Sequence, residues 1–162
     1  MQIEDGRFYF INNKFIQKYG IKYNLMKNKE TGTKRPCYFC FKDKVDKDII
    51  WFVPISKQYE KYKSIYEKKK HKIHREPLNF VFGIVKDENA VFLIQNMFPT
   101  TINYIDEKYQ VQNNDITISK PLQKEIIEKA ESILRLETSG IRVAFSNLLE
   151  FKQELLNNEK LS

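Results

Sequence analysis

The chain has 162 residues, 41% hydrophobic and 14% aromatic, which is enough to bury the core of one domain and rules out general disorder. Lys and Arg number 28 against 21 Asp and Glu, a formal net charge of +7, and no apolar run approaches the ~20 residues that span a bilayer. Two cysteines make no disulfide framework and residues 1–5 lack the apolar stretch of a leader, so one domain over 1–162 in a reducing cytoplasm is expected.

In chain order, Arg7–Ile11 reads as a strand, and Asn13–Tyr19 as a short helix closed by Gly20. Dense aromatic and β-branched runs predict strands at Pro36–Lys42 and Ile49–Pro54. A helix follows at about Lys57–Ile73. Leu78–Val85 and Ala90–Gln95 read as a hairpin turned by Lys86, Asp87, Glu88 and Asn89. Asp115–Ile118 is a further expected strand. Ser119 with Pro121 starts a helix whose Leu122, Ile126, Ala130, Ile133 and Leu134 share one face until Gly140. A short strand at Arg142–Phe145 and a last helix capped by Ser146 and running through Leu156 complete the reading. There is no internal repeat and no Gly/Ser/Pro-rich linker. Short connections favour antiparallel pairing. The expected class is α+β, one twisted, mostly antiparallel sheet with flanking helices.

Charge is unevenly spread. Residues 7–75 hold nineteen basic and six acidic side chains, whereas residues 76–162 hold nine basic and thirteen acidic. A basic half of that size attracts a polyanion in a salt-dependent way. The helix at 57–73 concentrates the effect: Lys57, Lys61, Ser64, Lys68 and Lys72 fall on one stripe, joined by Lys63, Lys69, Lys70 and Arg75, as though built to lie along phosphates. On another stripe Tyr59, Tyr62, Tyr66 and Ile73 read as core packing rather than a base-stacking platform.

Several familiar motifs fail. Cys37 and Cys40 have Cys-x-x-Cys spacing and His71 with His74 could complete a zinc set. However, residues three apart in a strand point to opposite faces, and the gap to His71 is far from the compact finger pattern. Gly-rich phosphate loops and a Gly-x-Ser-x-Gly elbow are absent. The acids of the basic half, Glu30, Asp43, Asp46, Asp48, Glu60 and Glu67, do not cluster as a metal-dependent nuclease requires. No metal and no cofactor is therefore expected. RNA can be cut without metal, because its own 2′-OH attacks the adjacent phosphorus while the protein moves protons and stabilises charge. DNA lacks that group.

An ordered set of blocks then carries a resemblance: Lys34 to Lys42 (KRPCYFCFK), Trp51 to Ser56 (WFVPIS), Glu60 to Tyr66 (EKYKSIY) and Phe92 to Thr100 (FLIQNMFPT), with Gly6 to Ile11 (GRFYFI) as a first strand. It resembles the type III toxin–antitoxin endoribonucleases, the ToxN/AbiQ family, in its CptN-like branch, over about Gly6 to Leu156. The resemblance implies a Kid/MazF-like toxin fold. It implies metal-independent cutting of A-rich RNA, leaving 2′,3′-cyclic phosphate and 5′-OH ends. It also implies a cognate antitoxin RNA of pseudoknotted repeats, processed by the toxin and closed with it into a ring. Cellular or phage mRNA would be the substrate, in phage defence or locus maintenance.

Carried over residue by residue, the resemblance places catalytic groups at Ser56, Lys57 and Lys61, with Lys57 standing where relatives often have a second hydroxyl. The loop at Thr33, Lys34 and Arg35 matches a region that supplies another basic group, and Gln95 and Asn96 match a block beside the groove. Ser56 would hydrogen-bond the 2′-OH or a phosphate oxygen, or else cap the following helix. Lys57 or Lys61 would stabilise the phosphorane or act as base, and Arg35 would clamp the scissile phosphate in two-pronged fashion. RNA contacts are expected at Lys34, Tyr38, Lys63, Lys68, Lys69, Lys72, Gln95 and Asn96. A non-catalytic RNA-binding module and an aromatic-faced structural dimer are the alternatives.

Overall fold

The computed structural model describes residues 1–27 and 34–159, so Glu30 and Thr33 lie outside the described residues. Its strands are β1 (Phe8–Ile11), β2 (Pro36–Lys42), β3 (Ile50–Ser56), β4 (Phe80–Val85), β5 (Glu88–Leu93), β6 (Phe98–Thr100), β7 (Ile105–Lys108), β8 (Gln110–Val111) and β9 (Asn114–Asp115). The helices are α1 (Asn13–Tyr19), α2 (Tyr59–Ile73), α3 (Lys120–Thr138) and α4 (Leu148–Asn158). Among the described residues, seven strands form one sheet in the order β4-β5-β3-β2-β1-β7, with β6 also on β3, while β8 and β9 make a separate small hairpin. Every pairing is antiparallel. This is the expected α+β class.

β3 is the spine. β2 runs along one edge of it. Along the other edge lie first β6, opposite Ile50 to Phe52, and then β5, opposite Ile55 and Ser56. A 3₁₀ turn at Ile94–Asn96 separates β5 from β6, so one stretch of chain contributes two short strands to one edge. The β4–β5 hairpin turns tightly on Lys86 (φ 54°) and Asp87 (φ 62°). Two consecutive positive φ angles define the turn type that matches strand twist. Glu88 and Asn89, expected in the turn, already belong to β5.

Helix starts follow their side chains. The Asn12 carboxamide accepts from Lys14 N at 2.7 Å at the head of α1, and Ser119 Oγ accepts from Leu122 N at the head of α3. α3 packs across the sheet at Gly83, where an added Cβ would sit 2.4 Å from Leu122 Cδ2. α1 and α4 meet in a ring cluster: Phe15 and Phe151 stack with centroids 5.9 Å apart, and Tyr23 stacks on Phe151 at 4.0 Å. α2 lays Tyr59 and Tyr66 on Phe82, at 5.5 and 5.1 Å, and Tyr62 on Phe80 at 5.2 Å. The tyrosine stripe is thus packing.

Three expected elements differ. Residues 142–145 form no strand; Phe145 N donates to Gln95 O, and the ring itself is exposed. Of Asp115–Ile118 only Asp115 is paired, in β9. Asn147, not the buried Ser146, caps α4 by accepting from Glu150 N at 3.1 Å. Among the described residues no helix is long and apolar enough to cross a membrane.

Candidate functional site

In the β2–β3 ladder Cys37 faces Pro54, Tyr38 faces Val53 and Phe39 faces Phe52. Carried back beyond the start of β2, the same register sets Arg35 opposite Ser56 and Lys34 opposite Lys57. Successive side chains of an extended chain point to opposite faces, so the two pairs lie on opposite sides of the sheet. The cavities agree. Arg35 lines a small one with Met26, Cys37 and Pro54, whereas Lys34 and Lys57 line another with Ile55 and Ala90. Met26, like Tyr59 and Tyr62 of α2, packs against the apolar cluster of Tyr66, Phe80, Val91 and Leu93. Arg35 and Ser56 therefore share the face that α2 covers.

Ser56 ends β3 and is 8% exposed. Its Oγ accepts from Gln58 N at 3.1 Å, a side-chain turn that swings the chain off the sheet. α2 consequently begins at Tyr59, two residues later than expected, and Gln58 at its cap makes no side-chain capping bond. Accepting one bond leaves the Ser56 hydroxyl proton available to donate. Arg35 Nε donates to Lys27 O at 2.8 Å. Lys61 lies exposed in the first turn of α2, its Nζ 5.2 Å from the Tyr62 ring centre. Helix N-terminal amides and two flanking cations make this corner favourable for an anion.

The remaining expected residues separate into groups. Lys57 is exposed and pairs loosely with Glu88 at 3.6 Å. Lys34 is ion-paired with Asp106, which also accepts from Asn12 Nδ2 at 2.9 Å. Partial burial pushes the Asp106 carboxyl up, but the bonds from Lys34 and Asn12 outweigh this and hold it below its ordinary value. Lys68, Lys69 and Lys72 stand exposed on α2. Lys63 does not: its Nζ lies over Phe82 at 4.7 Å and over Tyr66 at 5.2 Å, so its charge is directed towards the rings of the packed face.

Tyr38 is a core residue, 1% exposed and edge-on to Phe8 at 5.3 Å, and offers no surface to RNA. Gln95 is also buried. It donates through N to Asn79 O at 3.1 Å, accepts from Asn79 Nδ2 at 3.3 Å, and takes Phe145 N on its carbonyl. It is a tie between loops rather than a base reader, and Asn96 stands half-buried beside it. Cys37 and Cys40 are buried free thiols; burial pushes Cys37 up to about 12 and raises Cys40 as well. Among the described residues no three His, Cys, Asp or Glu side chains gather as a metal site.

Sequence reasoning missed Lys86 and Tyr109. Lys86 Nζ donates to Tyr109 Oη at 2.7 Å, and both line the cavity of Lys34 and Lys57. Lys86 reads in the sequence only as turn punctuation, and Tyr109 comes from a stretch with no strand signal.

No protein-family model matches the chain, and no curated protein matches it by sequence. Solved structures do match it. AbiQ, a lactococcal anti-phage endoribonuclease of the type III toxin–antitoxin system, superposes with TM-score 0.72 at 13% identity, covering 95% of this chain and 98% of its own. A structure from a bacterial type III toxin–antitoxin system, concerned with toxin inhibition by a non-coding RNA pseudoknot, gives 0.71 at 13% identity, covering 97% and 99%. One from a bacterial antiviral system regulated by a processed non-coding RNA gives 0.68 at 10%, covering 93% and 98%. The chain has the fold of these proteins over nearly its full length.

Proposed function

We propose that the protein is the toxin of a type III toxin–antitoxin system, a metal-independent endoribonuclease restrained by a pseudoknotted antitoxin RNA. The observation that supports this reading is the register of β2 and β3, Cys37 opposite Pro54 and Tyr38 opposite Val53, which continued by two residues leads Arg35 towards Ser56 ahead of a lysine-faced helix. The shared fold with AbiQ supports it. In the reaction, the RNA 2′-oxygen attacks the adjacent phosphorus and the bond to the 5′-oxygen breaks. Arg35 holds the non-bridging oxygens, Ser56 hydrogen-bonds the attacking 2′-OH or a phosphate oxygen, and Lys61 faces the phosphorane charge. The 2′-OH proton leaves to solvent or a basic group, and the 5′-oxygen takes one from the Lys61 ammonium. The products are a 2′,3′-cyclic phosphate and a 5′-OH. The substrate is A-rich cellular or phage mRNA, and the antitoxin repeats close with the toxin into a ring.

The test is single-turnover cleavage of A-rich RNA. Ser56→Ala and Arg35→Ala are expected to slow cleavage by about 10²-fold or more, with Ser56→Thr retaining much of the rate. Full activity in both alanine variants would remove this corner from the mechanism.

A further inference from the structure

We propose that the cavity on the opposite face of the sheet, between Lys57, Lys86 and Tyr109, is a subsite for one nucleotide of a single-stranded RNA. It encloses about 200 Å³, small beside pockets for drug-sized ligands and suited to a single unstacked base. Its floor is apolar, from Ile55 and Ala90. One wall is aromatic: Phe10 and Tyr109 meet edge-to-face with centroids 5.4 Å apart. Lys86 Nζ lies 5.3 Å from the Tyr109 ring centre as well as bonding its hydroxyl, so the ring and the cation are held together. That pairing of a π-surface with an adjacent cation is how proteins hold single-stranded nucleotides, the ring taking the base and the cation the phosphate.

The charges around the cavity are not all free to act. Asp106 balances Lys34, while Glu88 meets Lys57 only at 3.6 Å between side chains 61% and 71% exposed. An exposed pair of that kind is worth little and exchanges readily for a phosphate. Lys86 and Lys57 are therefore the cations that meet the ligand. The position also fits. Lys34 and Arg35, like Ser56 and Lys57, are chain neighbours, so the cavity opens on the back of the strand ends that carry the cleavage corner. A strand of RNA passing over that end reaches both faces. The biological ligand rests on the proposed RNA-cutting function; the cavity and its nucleotide chemistry do not.

The experiment titrates the full chain with the four nucleoside 5′-monophosphates, with inorganic phosphate and with an uncleavable 2′-O-methyl RNA hexamer, following backbone amides by NMR. Shifts are expected at Lys86, Ala90 and Tyr109, tighter binding for the hexamer than for any mononucleotide, and about tenfold weaker binding in Lys86→Asn and in Tyr109→Leu. Asn suits the positive φ of position 86, and Tyr109→Phe, which keeps the ring, serves as the conservative control for folding. In Ser56→Ala the shifts at Lys86, Ala90 and Tyr109 are expected to persist while cleavage slows, whereas in Lys86→Asn they are lost, which separates this subsite from the catalytic reading. Shifts confined to the Arg35 face, unchanged affinity in both Lys86→Asn and Tyr109→Leu, inorganic phosphate binding as tightly as nucleotides, or no gain for the hexamer would each overturn the assignment.

Discussion

Asp43 joins three parts of the molecule through one carboxylate. It follows β2, is 8% exposed, and accepts from Val45 N and Asp46 N at 3.0 Å and from Trp51 Nε1 at 2.9 Å. Lys152 of α4 pairs with it at 3.0 Å. Burial pushes the Asp43 carboxyl up, but the bonds from Asp46, Trp51, Lys152 and Val45 more than offset this and hold it below its ordinary value. A carboxyl lowered in the folded state contributes stability above its unfolded value of ~3.9, and that contribution is lost as pH falls below it. Asp43→Ala is expected to cost about 2 kcal/mol, since it strands the buried indole N–H of Trp51 and leaves the Lys152 ammonium with Asp46 alone, at 2.8 Å. Urea unfolding from about pH 6 down to about pH 2 checks both parts. The variant's deficit is expected to shrink at the acid end; a deficit constant with pH would contradict the ionised network.

Residue by residue, the site was only partly legible. Residue types and positions at Arg35, Ser56, Lys57 and Lys61 could be named from the sequence, but not the face each one takes. That depends on the cross-strand register, which a single sequence does not print. Tyr38 and Gln95 were misplaced for a related reason. Both lie in blocks whose residue types suit RNA, yet the Phe8 contact and the Asn79 bonds turn them inward.

At the level of elements, α2 has two distinct faces. Its tyrosines close a small apolar cluster with Phe80, Val91 and Leu93, while Lys68, Lys69 and Lys72 stay in solvent. Screened surface cations of this kind bind phosphates without reading sequence. Lys68→Ala with Lys72→Ala is expected to weaken RNA binding and to lower the slope of log K against log[salt] by about 0.7 for each phosphate no longer neutralised. Their cleavage of a short RNA at saturation is expected to stay near normal. An unchanged slope would show that RNA does not lie along this face.

The long aromatic strands and the two longer helices were readable because their patterns extend over many residues. β6 and β7 were not. Phe98–Thr100 has three residues, one of them proline, and Ile105–Lys108 carries three charged residues in four. Their pairing is decided by the neighbouring strands β3 and β1, not by local propensity. The type of the β4–β5 turn was equally hidden, because Lys-Asp lacks the glycine or asparagine that marks such turns.

As a complete fold, the chain matches structures from type III toxin–antitoxin systems and from a bacterial antiviral system with TM-scores near 0.7 at 10–13% identity. At that identity the fold is shared while most residues differ. The class of fold was visible from short loops and alternating strands, and the basic half of the chain from simple counting. The structure adds that this half includes the strand ends beside α2, where the β2–β3 register of Cys37 on Pro54, continued, leads to Arg35 and Ser56. The proposed chemistry there rests on RNA's own 2′-OH as the nucleophile. Its sharpest test is incubation of the purified protein, freed of copurifying RNA, with A-rich single-stranded RNA in excess EDTA, followed by identification of the product ends. Fragments with 2′,3′-cyclic phosphate and 5′-OH ends are expected. Intact RNA, or fragments carrying 5′-phosphates, would overturn that chemistry.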